Sequence, residues 1–151
     1  MHAPASALAL ALALVSASCA ETESPAGGGT AILVAGTYTG SRTWVENACG
    51  PNTPLNPLTI VVSHTRGATS ATINDGTATF PGALMADGSY AITPISATLG
   101  NGVPFQMTIA GRFGRTSLQL RQTVTENRST GACRYVIDWV TTKSGAPNDI
   151  P

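Results

Sequence analysis

Strict alternation of apolar and polar residues marks several stretches of this chain. In the clearest stretch, which runs from Phe105 to Phe113, the side chains of Phe105, Met107, Ile109 and Phe113 fall on one face. This period of two predicts a half-buried β-strand. The same period recurs in three further sets: Leu58, Ile60 and Val62; Leu118, Leu120 and Val124; and Tyr135, Ile137 and Trp139. Helical spacing is scarce after residue 36.

Weaker strand signals lie at residues 37–46, 69–73, 77–80 and 89–97, where Thr and Ser dilute the apolar pattern but keep β propensity high. Pairs such as Asp87-Gly88 and Asn101-Gly102 between these stretches supply residues that tolerate positive φ in tight hairpins. We therefore predict an all-β domain over residues 36–142, an antiparallel up-and-down meander of roughly eight strands. The polar tail, residues 143–151, is predicted to be disordered.

Two cysteines bear on how the sheet closes. Cys49 follows the first predicted strand, and Cys133 begins the last. In an up-and-down barrel with an even number of strands, these positions lie at the same rim on neighbouring strands, within reach of a disulfide. The positions favour a Cys49–Cys133 disulfide and a barrel or barrel-like closure. A β-sandwich is the alternative fold, because sequence does not fix strand order, and two separate buried thiols are the alternative for the cysteines.

The N-terminus has the layout of a secretion signal. An apolar run over residues 5–15 is too short to span a bilayer, and small residues followed by a polar, Gly-rich stretch come after it. We predict a signal peptide over residues 1–19 and a flexible tether over 20–35. Export also explains why the chain has an odd number of cysteines, three. Acylation or removal of Cys19 leaves Cys49 and Cys133, one pair that can form a disulfide in an oxidising compartment.

The segment Ala17-Ser18-Cys19 resembles the lipobox of bacterial lipoproteins. The resemblance implies lipidation of Cys19 and a place in the outer membrane or periplasm. Cleavage after Ala20, which would release a secreted soluble protein, is the alternative.

The order of leader, Gly/Thr-rich strand, Cys, Asp-Gly hairpins and late Cys resembles small β-domain lipoproteins of Gram-negative bacteria. Gly36-Thr37-Tyr38 together with Arg134 also resembles the G-x-W motif and late basic residue of lipocalin-type barrels, with Tyr38 in place of the Trp. Neither resemblance implies catalytic residues.

Charge and motifs narrow the function classes. Charged residues make up 11% of the chain, eight acidic and eight basic, so no net field favours nucleic acid, and membrane contact is expected only through a lipid anchor at Cys19. The chain lacks the G-x-S-x-G, H-E-x-x-H, phosphate-loop and C-x-x-C motifs. We therefore expect no enzyme, no cofactor and no structural metal. His64, the residue on which a remote hydrolase alternative depends, is expected at a rim or turn.

These observations predict an exported, non-enzymatic envelope protein whose barrel binds a small apolar ligand or an envelope partner. The candidate residues for lining a ligand cavity or filling the core are Phe105, Met107, Ile109, Tyr135 and Trp139. The alternative is an interaction module, such as an inhibitor or adhesion domain, which would use an exposed loop over residues 49–57.

Overall fold

The fold is that of a computed structural model, which describes residues 31–151. This part of the chain forms nine antiparallel strands and no helix, and thus contains no helical segment that could span a membrane. The strands are β1 (Gly36–Asn47), β2 (Leu58–Ser63), β3 (Ser70–Asn74), β4 (Thr79–Leu84), β5 (Ser89–Ile92), β6 (Ile95–Thr98), β7 (Pro104–Phe113), β8 (Ser117–Arg128) and β9 (Gly131–Lys143). The predicted signal peptide, tether residues 20–30 and Cys19 lie outside the described residues. Residues 31–35, which were expected to belong to the flexible tether, instead pack against the barrel, where Ile32 and Val34 are buried.

Strand pairing closes the sheet into a barrel. The order is β5-β4-β3-β2-β1-β9-β8-β7-β6, and an additional pairing of β5 with β7 joins the ends. Eight strands thus form the closed wall, while β6 pairs only with the far end of β7. The prediction of an all-β up-and-down barrel is confirmed.

The single strand expected over residues 89–97 is divided in two. β5 ends at Ile92 and β6 begins at Ile95, with Thr93 and Pro94 between them. Proline has no N–H to donate to a strand ladder, so pairing with β4 stops at this point and the chain bends away. Beyond Pro94, towards the end of the barrel where β1 ends, β4 has no pairing partner on its β5 side. The barrel wall is therefore incomplete between β4 and β7 at this end.

Large side chains fill the closed section. Trp139, Tyr38, Tyr90 and Phe113 are the four largest fully buried residues. Phe113 makes edge-to-face contacts with Tyr38 and Tyr90, at ring-centroid distances of 5.9 and 6.0 Å. Such pairs add to the stability that area burial alone supplies. The interior of this section is a packed core.

Gly40 and Gly111 allow tight crossings between neighbouring strands. A Cβ atom at Gly40 would lie 2.7 Å from the Cα of Thr141, and one at Gly111 would lie 2.8 Å from the Cα of Leu120. Backbone atoms cannot move aside as a flexible side chain can, so these positions accept only glycine without a shift of the strands.

The end of the barrel where β1 begins is closed by both ends of the domain. Leu33 and Asp149 exchange two backbone hydrogen bonds of 2.9 and 3.0 Å. Asn148 is 3% exposed and donates from Nδ2 to the Gly114 carbonyl oxygen at 2.7 Å. The prediction of a disordered tail over residues 143–151 is therefore wrong. The tail is polar, but its polar groups satisfy buried partners, which composition alone does not show.

Candidate functional site

The most distinctive surface is the irregular segment over residues 48–57, between β1 and β2, which we call the stapled loop. Most of its residues are exposed, and it has no strand or helix of its own. The Cys49–Cys133 disulfide joins it to β9, with 5.1 Å between the Cα atoms. The predicted disulfide is thus present, and it links the ends of the first and last strands as expected.

Hydrogen bonds hold the stapled loop at further points. Ala48 N–H donates to the Arg134 carbonyl oxygen at 2.9 Å, and Arg128 Nη1 donates to the Cys49 carbonyl oxygen at 2.7 Å. Farther along the loop, Trp44 Nε1 donates to the Thr53 carbonyl oxygen at 2.8 Å. Prolines at positions 51, 54 and 57 fix φ in the same segment. The loop is exposed, yet its conformation is constrained from several sides.

Charged groups beside the stapled loop are paired with each other. Glu126, which is 7% exposed, accepts hydrogen bonds from Arg128 at 2.7 and 2.8 Å. Arg134 lies 3.6 Å from Glu46. Burial, and to a lesser extent the charge of Glu126, raise the pKa of Tyr135. Glu126 and Glu46 are thus each paired with a neighbouring arginine.

Cys49, Cys133 and Glu126 place potential metal-ligand atoms within 4.8 Å of one another. Both sulfurs are consumed by the disulfide. A metal is bound by the thiolate form of cysteine, so the oxidised protein offers only the Glu126 carboxylate at this point. The grouping does not amount to a metal site in the disulfide-bonded state.

The five candidate lining residues lie on the inner face of the barrel. Met107, Ile109 and Trp139 are buried members of the core, while Phe105 and Tyr135 are half-buried and pack against it. The indole of Trp139 makes an edge contact with Phe80 at 6.2 Å between ring centroids. Side chains thus occupy the closed section that a ligand cavity would need.

His64 lies near the opposite end of the barrel from the stapled loop. Its Nδ1 accepts from the Val34 N–H at 3.3 Å, and its Nε2 lies 3.0 Å from the Ala68 carbonyl oxygen. Both contacts are made when Nδ1 accepts and the ring hydrogen lies on Nε2. The ring fastens the N-terminal segment to the barrel, and within residues 31–151 it has no hydrogen bond to a carboxylate.

Arg42 and Gln122 are inner-face residues that the sequence pattern did not single out. The Arg42 guanidinium carbon lies 6.0 Å from the Trp139 ring centroid, directly across the β1–β9 pair. On the other side of Trp139, its Nε1 donates to Gln122 Oε1 at 3.2 Å. The inward orientation of Arg42 could be predicted from the two-residue alternation of side chains along a strand. Arg42 lies two residues before Trp44 and four after Tyr38, so the three share one face of β1.

Comparison of the chain with protein-family models, curated proteins and solved structures found no match.

Proposed function

We propose that this domain is a non-catalytic interaction module of an exported envelope protein, and that it binds a protein partner through the stapled loop. The observation that supports this proposal most strongly is the combination of exposure with constraint in residues 48–57. One disulfide and five hydrogen bonds to the strand framework hold a segment in which most residues are exposed.

Constraint of this kind favours binding because a flexible loop loses conformational entropy when a partner orders it. Each immobilised side chain costs about 0.5–1.5 kcal/mol, and backbone ordering adds to that cost. A loop held by the Cys49–Cys133 bond and by prolines avoids much of the loss on association. Because nearby charges are paired, we expect recognition by shape and by hydrogen bonds to exposed groups such as Asn52 and Asn56.

The stapled loop and the N-terminal segment lie at opposite ends of the barrel. The N-terminal segment packs at the end of the barrel where β1 begins, where Gly67 N–H donates to the Ile32 carbonyl oxygen at 3.0 Å. The stapled loop follows β1 and therefore lies at the other end. If Cys19 carries a lipid anchor, as the lipobox resemblance implies, the stapled loop lies at the end of the barrel farther from the point of attachment.

A small apolar ligand inside the closed section has less support, because Trp139, Tyr38, Tyr90 and Phe113 already fill it. Removing buried aromatic side chains from such a core costs about 3–5 kcal/mol each, so ligand entry with displacement would be expensive. Binding of a protein partner to the stapled loop requires no such rearrangement.

Site-specific photo-crosslinking in the native envelope tests the proposal. A photoreactive amino acid is introduced at Asn52 in the stapled loop or, as the matched control, at Met85, which is 64% exposed in the turn after β4 at the opposite end. We expect one defined crosslinked species from position 52 and none from position 85. The species should disappear when excess unlabelled protein competes. Equal crosslinking from both positions, or none from position 52 in a protein that melts normally, would refute the proposal.

A further inference from the structure

We propose that Arg42 and Gln122 form a binding site for a carboxylate attached to a small apolar body, at the level where the closed barrel section ends. The site borders the stapled loop but does not use the loop's exposed face, and it goes beyond the proposed function. It rests on two donors that lack good acceptors and on the apolar surroundings into which they project.

Arg42 lies just past the closed section. The last β1–β2 pair joins Gly40 to Leu58, two residues before Arg42, so beyond this pair β1 retains only β9 as a neighbour. The guanidinium shares the inner face with Trp139, which is 1% exposed. A charged group therefore projects over the top of the core, beside the gap that opens between β1 and β2 beyond the Gly40–Leu58 pair.

The charge of Arg42 has no carboxylate partner within residues 31–151. The ion pairs in this part of the chain use other arginines: Arg66, Arg121, Arg128 and Arg134. The Nε atom of Arg42 is buried and has no hydrogen-bond acceptor. A buried donor left without an acceptor destabilises the protein, and more so when the group is charged.

Gln122 presents a second poorly satisfied donor. Its Oε1 accepts from Trp139, but its Nε2 has only the Met107 sulfur, at 3.1 Å, as a partner. A thioether is a weak acceptor. Donors therefore flank the Trp139 indole on both sides without a strong acceptor between them. A carboxylate has the matching chemistry, since its two oxygens accept several hydrogen bonds and fit the guanidinium fork.

Apolar side chains surround these donors. Trp44 and Tyr135 make an edge-to-face pair at 5.6 Å on the same face, and Leu55 of the stapled loop packs against the core beside them. All three are only partly buried, so they offer apolar surface at this end of the barrel. The ligand we infer thus has a carboxylate for Arg42 and a short hydrocarbon or aromatic body for Trp44.

The chain has two tryptophans, Trp44 and Trp139, and both belong to this site. Intrinsic fluorescence therefore reports on it directly, and the side-chain Nε–H resonance of Arg42 gives an independent NMR readout. The probes are hexanoate, hexanol, which has a comparable body without the carboxylate, and acetate, which has the carboxylate without the body. We expect hexanoate to bind about tenfold or more tightly than either control, since a charge-assisted hydrogen bond and the apolar contact each contribute.

The variant Arg42→Gln should weaken hexanoate binding about tenfold or more, whereas Arg115→Gln, at an exposed position, should leave it unchanged. Hexanoate should also shift the Arg42 Nε–H resonance of the unmodified protein, which keeps the test valid if Arg42→Gln folds poorly. Equal binding of hexanoate and hexanol, acetate binding as tight as hexanoate binding, or an unmoved Arg42 resonance would overturn the proposal. None of these results depends on a protein partner, so they do not bear on the stapled-loop proposal.

Discussion

Removing the Cys49–Cys133 disulfide should destabilise the domain mainly through its unfolded state. The bond joins residues 84 positions apart. In the chain-entropy model, closing a loop of that length stabilises the folded protein by about 4.6 kcal/mol, against a total of about 5–15 kcal/mol for a typical domain. The β1–β9 ladder extends to Asn47–Tyr135, and Ala48 N–H donates to the Arg134 carbonyl oxygen, so we expect this pairing to persist without the bond.

The double variant Cys49→Ala/Cys133→Ala should therefore fold to the same barrel with a free energy of unfolding lower by about 4 kcal/mol and a Tm lower by on the order of 15 °C. Urea denaturation followed by circular dichroism measures the change. Its m value should rise, because the uncrosslinked chain exposes more surface on unfolding. A loss below about 1 kcal/mol with an unchanged m value would refute the unfolded-state reasoning. Loss of the native spectrum in the absence of denaturant would show that the bond is needed to form the barrel itself.

Three further predictions follow from the interior. Gly40→Ala should cost about 1–3 kcal/mol in urea denaturation, because the new Cβ meets the Cα of Thr141 at 2.7 Å; a neutral effect would contradict the tight strand crossing. Asn148→Ala should cost about 2–3 kcal/mol through lost buried hydrogen bonds, whereas no loss would mean that the tail is unpacked. Burial raises the pKa of Tyr38 to about 12 and that of Tyr90 to about 12, from 10.0. Their contribution to stability is thus complete below pH 10 and lost as the pH rises towards 12, and tyrosinate absorbance that titrates near pH 10 in the folded protein would contradict this burial.

Much of the fold could be predicted from the sequence because two local signals agree. The alternation in β7 and the Asp87-Gly88 turn each specify one strand or hairpin, and a meander requires little more than neighbours in sequence pairing in space. The disulfide then supplied the one long-range constraint, placing β1 beside β9.

Other features depend on tertiary contacts that local patterns do not encode. The tail is ordered because Asn148 finds Gly114 and Tyr38, which lie 34 and 110 residues away in sequence. β5 and β6 separate at Pro94, although a continuous β-rich stretch was expected. The inward position of Arg42 follows from the alternation of β1, but its contact with Trp139 does not, because the sequence pattern does not show which residue of β9 lies opposite it.

Rigidity of the stapled loop is the central physical claim, since the proposed partner surface depends on it. Backbone ¹⁵N relaxation at Asn52, Thr53, Leu55 and Asn56 measures that rigidity directly. In the oxidised protein we expect order parameters of about 0.8, close to those of the strands, falling below about 0.6 in the Cys49→Ala/Cys133→Ala variant. Order parameters below about 0.6 in the oxidised protein would contradict a preorganised binding loop.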